Sequence, residues 1–95
     1  MLSKIPIDMK KVKREDITKE VLRVAIIAEL DAINLYEELA SSVEDENIKK
    51  VFEDVAKEEK THAGEFMAML LKEDKEQVRE LEEGRKEVEE LLGER

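Results

Sequence analysis

Two helical stripes in this chain are each interrupted by polar residues at the same height, and this limits its possible folds more than any other feature. The first stripe is Leu22, Ile26, Glu29, Ile33, Tyr36 and Ala40, with steps of four, three, four, three and four residues. The second is Ile48, Phe52, Val55, Glu59, His62, Phe66 and Met69, with the same alternation. Such stepping lines one face of a helix and marks the seam of an antiparallel bundle. Between the stripes, "VEDEN" predicts a turn centred near residues 44–45. Glu29 lies about 16 residues before that centre, and the middle of Glu59–His62 about 16 after it. At about 1.5 Å per residue, each lies roughly 24 Å from the turn. If the helices fold back on each other, the three polar groups meet at one level.

Taken singly, each has an ordinary explanation. A lone Glu on an apolar stripe can reach water with its head group. His62 is the sole histidine, and a core histidine is usually hydrogen-bonded rather than a ligand. The joint pattern favours a metal. An unpaired buried carboxylate costs several kcal/mol, so two at one level need compensation. Neither stripe carries a Lys or Arg to supply it. The i, i+3 spacing of Glu59 and His62 points both side chains the same way. Carboxylate oxygen with imidazole nitrogen suits iron, manganese or zinc better than calcium. Ala25, Ala28, Ala32, Ala56 and Ala63 leave room for an ion and a small oxidant. One hairpin supplies only three ligands and cannot cover its own seam. Two hairpins related by a twofold axis make a four-helix bundle whose shared site holds two Glu29, two Glu59 and two His62. That set coincides with the one known for the dinuclear carboxylate site of ferritin-like proteins. Its four carboxylates balance two divalent ions.

Composition agrees with an all-α chain. The 95 residues suit one small domain, and 45% are charged, with three Gly, one Pro and no Trp. This is the usage of long helices. Heavy Glu and Lys usage without Cys also fits a thermophile. The net charge of -9 disfavours nucleic acid and attracts cations. The absence of cysteine excludes disulfides, thiolate metal sites and cysteine nucleophiles. No apolar run is long enough for a membrane span. "MLSKIPIDMKKVKRED" lacks the apolar core of a signal peptide, so a cytoplasmic location is expected. Residues 1–17 read as a polar arm, and residues 18–95 as a helical hairpin with a short third helix. Thr18 is the expected N-cap of a first helix from Lys19 to about Ser42, with Glu20 in its first turn. Asp45 is a candidate cap for a second helix over about 46–73. After "KEDK" a third helix is expected over about 75–92, with Val78, Leu81, Val88 and Leu91 on one face. Gly84 weakens its middle and Gly93 ends it. The methionines of "FMAML" fit a haem or flavin box, or more simply gap-filling core.

The segments "AIIAELDAINLYEELA" and "VAKEEKTHAGEFMAMLL" resemble the encapsulated ferritins, ferritin-like cargo of encapsulin nanocompartments. The resemblance covers about residues 19–92. It implies two long antiparallel helices plus a short C-terminal helix, and a di-iron site formed only between subunits. It also implies a ring of dimers, typically a decamer, and ferroxidase activity, with mineral stored by the surrounding encapsulin shell. By this resemblance Glu29, Glu59 and His62 carry the iron, Tyr36 matches a tyrosine beside the site, and Asp31 matches a carboxylate of the metal access path. Read from the stripes alone, Tyr36 is equally a core aromatic, and Asp31 lies off the seam with solvated surface as its default. Two departures stand out. Some members carry a second access carboxylate where this chain has Ala28, and a tryptophan where it has Leu35. The family's cargo has a targeting peptide after a flexible linker, whereas this sequence ends at "LLGER". A truncated cargo protein or one domain of a capsid fusion are the two expectations. The rival functions are a rubrerythrin-like di-iron peroxidase and a structural helical oligomer whose polar seam sets register.

Overall fold

Helix boundaries in this chain follow from where its orphaned backbone groups find partners. A computed structural model describes residues 8, 10 and 13–93. The arm expected over residues 1–17 therefore lies largely outside the described residues. A 3-10 turn, Arg14–Asp16, leads into α1 (Ile17–Ser42), then α2 (Glu46–Glu73) and α3 (Lys75–Leu92). There is no strand among the described residues.

The expected Thr18 cap is not the one used. Asp16 occupies the N-cap position of α1, without a side-chain capping bond, and Thr18 sits inside the first turn. The reason is the preceding 3-10 turn. Its Asp16 N–H already bonds the Lys13 carbonyl at 2.9 Å, and Ile17 leaves it with helical dihedrals of -55° and -45°. The chain thus enters α1 already wound, and a hydroxyl cap has nothing to initiate. The other boundaries match expectation. The hydroxyls of Ser41 and Ser42 donate to the Glu38 carbonyl at 2.9 and 2.7 Å, and Val43 turns extended. Asp45 accepts from the N–H groups of Asn47 and Ile48 at 2.9 and 3.1 Å and caps α2. Asp74 works in both directions. Its N–H reaches the Leu70 carbonyl at 2.9 Å and ends α2. Its carboxylate accepts from the Gln77 N–H at 3.0 Å and begins α3. Gly93, at φ 71°, ends α3 in the left-handed conformation that glycine adopts without penalty.

Helices α1 and α2 form the antiparallel hairpin. Its buried apolar side chains, among the described residues, are Ile26, Ala40, Ala56 and Leu70. That core is thin. Leu22, Ile33, Tyr36, Phe52, Val55 and Phe66 of the two stripes are only half-buried, and Ile48 and Met69 at the stripe ends are exposed. The rings of Tyr36 and Phe52 stack across the hairpin with centroids 6.3 Å apart and planes 25° apart.

Helix α3 contributes little to this core. The expected face of Val78, Leu81, Val88 and Leu91 is exposed along its length. The principal extents of 46 × 44 × 21 Å reflect a helix standing off the hairpin. Its corner is fixed by a bond between the Arg23 guanidinium and the Asp74 carboxylate at 2.9 Å. The Gln77 N–H, and after it Arg23, hold the Asp74 carboxyl below its ordinary value against the opposing effect of burial. The radius of gyration is 16.8 Å, against about 12 Å for a compact domain of this length. The accessible surface is 7610 Å², against roughly 5,600 Å² for a compact protein of this mass. Ile17, Val21, Ile27 and Leu30 of α1 add to the exposed apolar surface. No helix of the described residues is long and apolar enough to cross a membrane.

The turn makes a direct prediction. Asp45→Ala removes acceptors for two N–H groups and costs about 1 kcal/mol, while Asp45→Asn retains most of the stability. Urea unfolding followed by circular dichroism measures this. A loss no larger than that of Asp54→Ala, an exposed acid inside α2, contradicts the capping role.

Candidate metal centre

The level predicted from the two stripes exists. Glu29 comes from α1, and Glu59 and His62 come from successive turns of α2. The His62 Nδ1 lies 3.6 Å from Glu29 Oε2 and 3.5 Å from Glu59 Oε2. One candidate ligand atom from each residue falls within 4.8 Å of the others. The Glu29 and Glu59 side chains retain only 17% and 19% of their exposure, whereas His62 retains 44%. The group is therefore sheltered on the hairpin side and accessible on one flank.

The electrostatics are strained. Glu29 Oε2 is buried with no hydrogen-bond partner among the described residues. The Glu29 pKa is raised, first because its protonated form can donate to Glu59, then by burial and by the charge of Glu59. His62 opposes this. Burial acts to lower the His62 pKa, but the charges of Glu29 and Glu59 outweigh it and the net direction is up. Glu65, one turn further along α2, adds a smaller push the same way. The stripes do not include Glu65, although its i, i+3 spacing from His62 is the signal that finds it. Both shifts run toward the protonated forms, which ease the crowding of negative charge. A divalent cation of the iron, manganese or zinc class fits this donor set, because it replaces those protons with a single compensating charge.

Tyr36 and Asp31 lie outside the three-residue group. The Tyr36 ring is packed on Phe52, about two turns along α1 from Glu29. Asp31 is not solvated surface as its position off the seam suggested. It is 8% exposed, so the side of α1 that the stripe leaves free is covered at this residue. Met67 is half-buried and Met69 exposed.

A sequence model of the rubrerythrin family matches residues 20–92, most of the chain and all three candidate ligands. The chain belongs to the rubrerythrin family. Within it, the chain is similar to the encapsulated ferritin domain from Pyrococcus furiosus. The two share 56% identity, with a TM-score of 0.83 over 98% of this chain and 97% of that one. A ferritin-like–encapsulin shell fusion protein from the same organism is 65% identical over 74 residues. That match takes in 78% of this chain but only 21% of the fusion protein, so the chain spans about a fifth of that relative's length. The encapsulated-ferritin fold expected from the sequence, with two long helices and a short third, is the fold found.

The raised pKa values set a sign for the pH dependence of this rubrerythrin-family chain. A group whose pKa is raised by folding stabilises the fold below its unfolded value, here 4.5 for Glu29 and 6.5 for His62. That contribution is lost as pH rises through the folded value. Chelated protein therefore melts at higher temperature at pH 6 than at pH 8, and saturating zinc ion removes or reverses the difference. Differential scanning calorimetry with and without chelator tests this. A chelated protein more stable at pH 8, with His62→Ala showing the same dependence, contradicts it.

Proposed function

We propose that this rubrerythrin-family chain is a ferroxidase that oxidises ferrous iron at a site shared between two subunits. The observation that carries this reading is the convergence of Glu29, Glu59 and His62, with a buried Glu29 oxygen that has no hydrogen-bond partner among the described residues. Iron is the substrate, and each ferrous ion gives up one electron, ultimately to dioxygen. The protein binds, orients and neutralises. Glu29 and Glu59 would supply oxygen ligands, and their negative charge would favour the ferric product. His62 supplies a nitrogen ligand. For ligation, Glu29 must be ionised and His62 must present a neutral nitrogen. Asp31 is assigned to the access path and Tyr36 to the surroundings of the site.

The pairing of two hairpins rests on a second physical argument. The surface in excess of a compact monomer is roughly 2,000 Å², comparable with what one chain gives up in stable assemblies. A twofold pair buries the exposed flank of the ligand group and doubles the donor set to four carboxylates and two imidazoles. The names of the relatives, an encapsulated ferritin domain and a ferritin-like–encapsulin shell fusion protein, support an association with an encapsulin shell, and a ring of such dimers is the assembly proposed here. The alternative reading is a rubrerythrin-like peroxidase, with peroxide as the acceptor at the same site. This chain has no cysteine and so cannot form a cysteine-ligated iron site to feed electrons to a peroxidase.

Replacing Glu29, Glu59 or His62 singly with Ala abolishes rapid iron oxidation and leaves helical content intact, since Ala suits both helix and core. Wild-type rates in all three variants remove the assignment. Asp31→Ala and Tyr36→Phe slow oxidation by about 10–100-fold without loss of bound metal. Stopped-flow absorbance with oxygen, then with peroxide, reads both sets and identifies the acceptor. Metal also drives assembly, because pairing brings four carboxylates together and two divalent ions cancel them. Sedimentation velocity shows smaller species in chelator and larger ones with ferrous, manganous or zinc ion at one metal per chain, with Glu29→Ala responding weakly. Full assembly in chelator contradicts metal-linked pairing, and tight three-ligand binding by an isolated monomer contradicts the shared site.

A further inference from the structure

Where α1 begins, α2 ends and α3 departs, the three helices leave an apolar pocket of about 300 Å³. This is roughly the share of ten water molecules, enough for two aliphatic side chains. Ile26 and Ile27 of α1, Met67 and Leu70 of α2 and Gln77 of α3 line it. Ile26 and Leu70 are buried, Met67 and Gln77 half-buried and Ile27 exposed, so the apolar lining continues to the surface. Arg23 also lines the pocket, but its guanidinium is engaged by Asp74 at 2.9 Å and Glu20 at 3.6 Å. The pocket therefore offers apolar contact rather than a free charge. Glu29, Glu59 and His62 are not among its lining residues, so it is separate from the metal-ligand group.

A segment of matching chemistry lies a short way upstream in the same chain. Residues 1–7 include Met1, Leu2, Ile5, Pro6 and Ile7, with Lys4 their one charged side chain. The residue before a proline is biased to extended backbone, and in an extended chain residues i and i+2 share a face. Ile5 and Ile7 are thereby paired in sequence, about 7 Å apart. The tether reaches. Arg23 and Ile27 lie about 9–15 Å along α1 from Ile17, whereas the stretch from Ile5 to Arg14 spans up to about 30 Å. The Asp8 carboxylate accepts from the Lys10 N–H at 3.0 Å, a side-chain turn that bends the chain just after Ile7. Charge favours the same contact. Residues 1–13 carry four lysines and one aspartate, while the rest of the chain holds all but one of its 26 acidic residues.

We propose that Ile5-Pro6-Ile7 of the chain's own N-terminal arm seats in this pocket, with the two isoleucines against Ile27, Met67 and Leu70. The arm then straps α3 to the hairpin at the corner otherwise fixed by the Arg23–Asp74 bond.

Because the chain has no cysteine, disulfide trapping in the full-length protein tests the proposal. Ile5→Cys/Met67→Cys protein is oxidised under native conditions with chelator present. Its intrachain disulfide is expected to form about tenfold faster than that of Ile5→Cys/Val51→Cys, whose second thiol sits about 24 Å away along α2. Separately, single Met67→Cys and Gln77→Cys variants are labelled with a thiol reagent. Adding Ile5→Ser and Ile7→Ser speeds labelling at both sites by about tenfold, the effect of losing one buried aliphatic contact. The same addition leaves a lone Val51→Cys unchanged. Two sites on two helices keep the test open should one substitution disturb folding, which circular dichroism reports. Three results overturn the proposal: equal trapping with Val51→Cys, labelling at Met67→Cys and Gln77→Cys unmoved by the arm substitutions, or a disulfide that forms only between isotopically labelled and unlabelled chains. The last makes a second copy's arm the occupant.

Discussion

Two carboxylates and an imidazole gathered within 4.8 Å cannot satisfy one another. The carboxylates repel, the imidazole offers at most two protons, and one Glu29 oxygen is left without a hydrogen-bond partner among the described residues. Everything else in the hairpin holds this arrangement in place. Asp45 fixes where α2 begins, and so fixes which turn of α2 faces Glu29. Ala56, buried in the helix contact, lets the backbones approach closely enough for side chains on opposite helices to meet. Shifting either helix by one residue rotates its ligands by about 100° and disperses the group. The local instability is thus tolerated because the rest of the hairpin over-determines it, the usual circumstance of a functional site.

The two long helices and their register were legible in the sequence because each rule there is local. The steps of four and three gave the faces, the turn residues gave the fold-back point, and equal distances from it gave the meeting of Glu29 with Glu59 and His62. Asp45 at the start of α2 and Gly93 at the end of α3 were read from residue type alone. What was missed depends on context. Thr18 looked like a cap, but a 3-10 turn upstream already supplied helical geometry. Ile48 and Met69 continue the stripe in sequence yet are exposed, since periodicity records a face and not what covers it. Asp31 is off the stripe and still buried. The Arg23–Asp74 bond joins residues 51 positions apart, which no local pattern encodes.

Function was legible to a different depth. Donor chemistry narrows the ion to a class, and family membership adds the chemistry of ferritin-like proteins. In the proposed ferroxidase, the electron acceptor would be decided by which small molecules reach the exposed flank of His62. In the proposed pair of hairpins, that flank is where the second chain enters. The same surface would then govern assembly, ligand number and access. Such a pairing would account for the half-covered Ile33, Val55 and Phe66 beside the chain's most polar group.

The surplus surface also bears on stability. A chain that completes its core against copies of itself has no single free energy of unfolding. For a dimer, each tenfold change in protein concentration shifts the folding equilibrium by about 1.4 kcal/mol, as much as a good helix cap contributes. A thousandfold enrichment, as when many copies share a small enclosed volume, supplies about 4 kcal/mol, a large part of a small domain's total stability. Confinement would then act on this chain as a ligand does.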